Sequence, residues 1–151
     1  MALFERPVPS LGTERDVLGR RIGAFLIDLV LYLLIFGPIS GFLFARPGRI
    51  LGSLGFLGLL VFVLYTFYFE AAYGQTIGKK AMGVVVVTVD GSPMSYRESA
   101  LRNGLRIIDG LPGLLHLVGL LLVLVTDRRQ RLGDLVADTI VVRAKETRTR
   151  L

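Results

Sequence analysis

The stretch RRIGAFLIDLVLYLLIFG (residues 20–37) decides how the rest of the chain is read. Apart from Asp28, no residue from Ile22 to Ala45 is charged, a run of 24. About 20 apolar residues in a helix cross a bilayer core, so the segment reads as a transmembrane helix over about 20–45. Gly37-Pro38 marks an expected kink or exit point. An ionisable group at that depth costs at least ~2.5 kcal/mol by insertion scales. Asp28 therefore calls for a partner or a task.

Composition agrees with a membrane setting. The 151 residues fit one domain, 52% of them hydrophobic, with a mean hydropathy of +0.61. The net charge of +6 comes from bases clustered at the edges of apolar runs. That distribution suits anionic lipid head groups, so the expected partner is the lipid bilayer and no nucleic acid. With no Cys, disulfides, thiolate nucleophiles and cysteine metal sites are excluded. His116 is the single histidine and reads as a packed neutral imidazole, so neither a metal nor a cofactor is expected. The first apolar run exceeds the roughly 7–15 residues of a signal-peptide core, and no small-x-small cleavage site follows it.

Residues 1–19 form a polar tail expected at the membrane surface, with a helical turn near Thr13–Gly19. Residues 20–143 form the membrane domain, and 144–151 a basic tail. Ile50 to Phe69 is a second uncharged run of 20. In it Gly52, Gly55 and Gly58 offer a small-residue strip, and Tyr65, Phe67, Tyr68, Phe69 and Tyr73 form an aromatic belt at one end. GQTIGKKAMG (74–83) is polar and glycine-punctuated. VVVVTV (84–89), ending at the turn DGSP, and TIVVR (139–143) are β-branched runs expected to pair in a small cytoplasmic sheet.

SYRESALRNGLRIID (95–109) opens with Ser95 and Glu98 in capping-box spacing. Glu98, Arg102, Arg106 and Asp109 fall within an ~80° stripe, outside which lie Leu101, Leu105 and Ile108. Two dispositions stay open: a membrane helix with its charges turned into a bundle, or an amphipathic helix in the interface plane. LPG (111–113) breaks the chain, and Leu114 to Thr126 is a short apolar helix ending at DRRQR.

The bases choose the topology. With four crossings, all non-embedded bases except Arg46 and Arg49 lie on one side, and 84–89 and 139–143 share that side. The expected fold is thus an all-α, four-helix transmembrane bundle: two full spans, a shorter helical hairpin, and a cytoplasmic β-element. It sits multi-pass in the cell membrane with both termini cytoplasmic.

Together, RRIGAFLID, GQTIGKKAMGVVVVTVDG, ALRNGLRIID and QRLGDLVADTIVV resemble the RDD family of small membrane proteins over about residues 18–143. The family is named for one arginine and two aspartates. By that resemblance the arginine is Arg21, with Arg20 as the neighbouring alternative, and the aspartates are Asp28 and Asp134. Many members carry His before the second aspartate; Gly133 stands there in this chain. Cation/proton exchange is among the activities suggested for the family, so the resemblance implies exchange of Na+ or H+.

Asp28 has two readings. It balances Arg102 or Arg106 in a buried ion pair, or it is a titratable carboxylate in a cation or proton path. Arg21 lies seven residues earlier on the same helix face, ~10.5 Å along the axis and too far for a direct bridge. GQTIGKK fails as a phosphate loop, because three residues separate Gly74 and Gly78 and Lys80 follows Lys79. Glycine packing and head-group contact are expected there. DRRQRLGD reads as a cytoplasmic stop-transfer anchor, and pairing of Asp134 with Arg129 or Arg131 is compatible with that reading. The candidate charge-pair or ion-path residues are Arg21, Asp28, Asp134, Arg102, Arg106 and Asp109. No catalytic constellation is present, so no enzyme is expected. The function classes are a small ion-coupled transporter, homo-oligomeric because four short helices enclose little pathway, and a non-transporting scaffold binding a partner through its cytoplasmic face.

Overall fold

The computed structural model describes residues 5–44, 50–109 and 121–145, and their side chains except those of 39–44, 50–57, 59 and 106–109. Helix α1 spans Leu18–Phe44 and α2 Ile50–Tyr73. The unbroken apolar sequence of α1 carries it through Pro38, so the expected exit there does not occur. Residues Glu14–Pro38 are long and apolar enough to cross a membrane, and only 17% of the best window is buried within the molecule. A soluble core helix would be mostly buried; here Ile22, Phe25, Leu26, Val30, Leu33 and Leu34 all face outward.

Helices α1 and α2 run antiparallel. Tyr32 meets Phe62 edge-on with ring centroids 5.5 Å apart, and Asp28 meets Tyr65 nearer the other end. Gly58 gives the Tyr32 hydroxyl room at this crossing, where an added Cβ would displace it. Gly52 and Gly55, the rest of the expected strip, lie outside the described side chains.

After α2 come the short helix α3 (Ile77–Ala81) and strand β2 (Val84–Thr88). Helix α4 (Tyr96–Asp109) starts at the expected capping box: the Ser95 amide donates to Glu98 at 2.6 Å, and the Glu98 amide to the Ser95 hydroxyl at 3.4 Å. Its inward face is Ser99, Arg102 and Asn103, while Leu101 is exposed. Most of the expected helix over 114–126 lies outside the described residues; 121–125, labelled α5, are helical. Helix α6 (Leu132–Val136) leads into β3 (Thr139–Ala144).

The two β-branched runs pair as expected. β2 and β3 are antiparallel with Val86 opposite Val141, and β3 is the middle strand of three. The third is β1, Pro9–Ser10, within the segment read as a surface tail. A single 3-10 turn over Glu14–Val17 follows it and buries Val17. Val84, Val86 and Val141 pack with Val17 and Met94 on one face, and Val85, Val87, Ile140 and Val142 pack on the other. Burial on both faces explains why these strands read as continuous apolar runs rather than alternating ones.

Candidate functional site

Six charged side chains are buried among the described residues: Arg21, Lys79 and Arg102 against Asp28, Glu70 and Asp134. Three positive and three negative groups balance. Five of them form one chain of alternating sign. Lys79 pairs with Glu70, Glu70 with Arg102 Nε at 3.2 Å, Arg102 Nη1 with Asp134 at 3.1 Å, and Asp134 with Arg21 Nη2 at 2.6 Å. Neutral donors complete it: Asn103 Nδ2 reaches Glu70 at 3.0 Å, and the Arg131 amide reaches Asp134 at 3.2 Å. Arg21 also donates to the Arg129 carbonyl at 2.6 Å. The chain thereby ties α1, α2, α3, α4 and α6 together. Pairing with charge-assisted hydrogen bonds is what makes such burial tolerable.

Burial alone would raise the Asp134 carboxyl. Arg102, Arg21 and Arg131 outweigh it and hold the group well below the usual carboxylate range.

Asp28 stands beside this chain with a different environment. Its Oδ1 accepts from the Tyr65 hydroxyl at 2.9 Å and the Gly78 amide at 2.8 Å, and its Oδ2 from the Thr76 hydroxyl at 2.6 Å. The Tyr65 hydroxyl in turn accepts the Ile77 amide at 2.9 Å. Among the described residues no Lys or Arg pairs with Asp28, so the expected bridge to Arg102 is not formed: Arg102 is occupied by Glu70 and Asp134. The reason is α3, which docks flat on α1. A Cβ on Gly78 would strike the Ala24 carbonyl, and this closeness puts the first-turn donors of α3 on the carboxylate.

The same docking corrects Lys79. Instead of meeting lipid head groups, it turns inward to Glu70. Asp134 is likewise bound by Arg21 and Arg102 rather than by Arg129, whose guanidinium donates to the Leu124 carbonyl at 2.8 Å. The side chains of Arg106 and Asp109 lie outside those described, as does His116. Glu70 is the participant that sequence reasoning missed; it falls one residue past the uncharged run of α2, and an acid at such an edge is the signal that pointed to it.

The motif residues Arg21 and Asp134 thus share a buried ion pair, with Asp28 close by on α1. The RDD family model matches residues 16–138. The chain belongs to the RDD family. It is 31% identical over 137 residues to an uncharacterized protein of Haemophilus influenzae, covering 89% of this chain and 81% of the relative. No solved structure matches it. As a member of the RDD family the chain is a helix-rich membrane protein, in keeping with the outward apolar face of α1.

Proposed function

We propose that this RDD-family protein exchanges a monovalent cation for protons across the cell membrane at Asp28. One observation carries the reading: Asp28 is a buried acid on the membrane helix held by neutral donors, while Glu70 and Asp134 are neutralised by fixed cations. A proton, or Na+ coordinated by the carboxylate with the Tyr65 oxygen, would supply a positive charge that no described residue pairs with Asp28, in the hard-oxygen environment such ions prefer. The proposed setting has four crossings, both termini cytoplasmic, in a homo-oligomer. The distribution of bases supports it, and so does β2–β3 pairing, which requires both strands on one side.

The test is Na+-dependent proton flux through the purified chain in liposomes carrying a pH gradient. Flux in the parent, none in Asp28→Asn, and a shifted pH dependence in Asp28→Glu are expected. Absence of flux in a well-folded parent overturns exchange. It leaves the second reading, a non-transporting scaffold that binds a partner through its cytoplasmic face. The five-member ion chain favours that reading, since it suits a rigid frame.

A further inference from the structure

The turn that supplies the donors to Asp28 occurs twice in this chain. Residues 74–88 (GQTIGKKAMGVVVVT) and 129–143 (RQRLGDLVADTIVVR) share one backbone plan, position by position. Gly74 and Arg129 have φ of 69° and 52°. Gln75 and Gln130 each reach forward to a strand carbonyl, Val84 at 2.8 Å and Thr139 at 2.9 Å. Thr76 and Arg131 open the helices with φ/ψ of −81°/173° and −83°/172°, and Met82 and Ala137 close them at −89°/0° and −91°/4°. Gly83 and Asp138 then turn left-handed, at 63° and 48°, into β2 and β3. Val86 and Val141, equivalent in the two copies, lie opposite each other in the sheet, so a local two-fold axis passes between them. Even the docking repeats: Gly78 lies against the Ala24 carbonyl of α1, and Gly133 against the Arg102 carbonyl of α4.

Two copies of one backbone in one molecule make each the control for the other, and they differ in three ways. The first is the acid at the N-terminal end. In the second copy it is the helix's own Asp134, which accepts from the Arg131 amide; in the first it is Asp28 of α1, which accepts from the Thr76 hydroxyl and the Gly78 amide. The second is the tether. At equivalent positions stand Asp134, a short side chain gripped by Arg21 and Arg102, and Lys79, a long flexible one on Glu70. The third is the pivots. Glycine holds both left-handed positions of the first copy and is free to leave them, whereas Arg129 and Asp138 are held in a region their side chains disfavour.

We infer that the first turn, 74–83, is the gate of the Asp28 site, and that the second, 129–138, is the fixed frame against which it moves. This rests on the exchange reading and adds its regulation. The ionised carboxylate holds the gate shut through two hydrogen bonds, from the Thr76 hydroxyl and the Gly78 amide. Neutralised by a proton or engaged by Na+, it accepts less strongly from Thr76 and Gly78. The N-terminal end of α3 then lifts, pivoting at Gly74 and Gly83 while Lys79 keeps its hold on Glu70. Among the described residues, the titratable groups around Asp28 are Tyr65 from α2 and Lys79, whose amide bonds Thr76 at 3.3 Å; Arg21, two turns earlier on α1, is held by Asp134.

The test compares the equivalent positions 77 and 132. Single-cysteine variants Ile77→Cys and Leu132→Cys of the full chain are placed in liposomes, and their rates of maleimide labelling are measured. Because only the thiolate reacts, acid slows both sites, and the pH arm is read as the rate at 77 relative to that at 132. At acidic pH that ratio should rise about tenfold, the scale of bringing a minor state to dominance. On adding Na+ at constant alkaline pH, the rate at 77 should rise by the same factor while that at 132 stays constant. Asp28→Asn, and independently Thr76→Val, should give a high 77-to-132 ratio that is indifferent to pH and Na+. Equal responses at 77 and 132, or none at either, overturn the gate. Flux without the differential response rejects the gate and keeps exchange. A differential response in a protein without flux keeps the gate and rejects exchange.

Discussion

Arg21 of α1 and Asp134 of α6 are 113 residues apart in the chain and 2.6 Å apart in the fold, and Arg102 holds the other oxygen of the same carboxylate. One acid thus fastens two helices. Asp134→Asn would leave the buried Arg21 guanidinium without its anion and Arg102 with Glu70 alone, a loss of ~3–5 kcal/mol. Thermal unfolding in detergent should show it as a markedly lower midpoint. A variant as stable as the parent would mean the pairing contributes nothing.

The same carboxylate gives stability a pH dependence of known sign. Because its folded value is held below the unfolded one of about 3.9, its contribution is fully present above that unfolded value. It is lost as pH falls through the folded value. Unfolding midpoints should therefore be flat near neutrality and fall in acid, and Asp134→Asn should lower the neutral plateau and weaken the acid dependence.

Charge coupling should follow the observed partners. The double change Glu70→Gln with Arg102→Gln should show an interaction term of ~0.5–3 kcal/mol. Asp28→Asn with Arg102→Gln should be additive, because these two groups do not pair. A large 28–102 coupling, measured by the same unfolding cycle, would contradict the arrangement around Asp28.

Close packing makes a third set of expectations. Gly78→Ala and Gly133→Ala each drive a Cβ into a neighbouring backbone carbonyl, which the second copy shows at 2.7 Å from the Arg102 oxygen. Each should cost ~1–3 kcal/mol as overpacking. Gly104→Ala, with nothing of the described residues within 4 Å, should instead stabilise α4 by about 0.5–1 kcal/mol.

Orientation can be read with single cysteines. Substitutions at Leu11, Arg97 and Thr147 should all react from the cytoplasmic side, and one at Gly48 from outside only. Thr147 reacting from outside would replace four crossings by three.

Much of this was legible beforehand. The uncharged run after Arg21 specified α1, and the β-branched runs specified β2 and β3, because length and composition act locally. The family motif pointed to Arg21, Asp28 and Asp134, and all three are buried in the fold. Their partners were not legible. Helices α3 and α6 are five residues each, too short for any hydrophobic period, and their docking through Gly78 and Gly133 decides where Lys79, Asp28 and Asp134 point. Helical geometry alone put Asp28 opposite Arg102, and a tertiary contact with no periodic signature put Thr76 there instead.

The middle strand of the sheet is the last one made. β1 and β2 emerge from the ribosome with no partner between them, and Arg21 and Arg102 enter the assembling protein before their shared anion exists. Synthesis of residues 132–144 therefore closes the sheet and the ion chain in a single step. A nascent chain stopped before Leu132 would present valine-rich strand edges and leave Arg21 without its anion, and unpaired edges of that kind make an unfinished chain prone to aggregate.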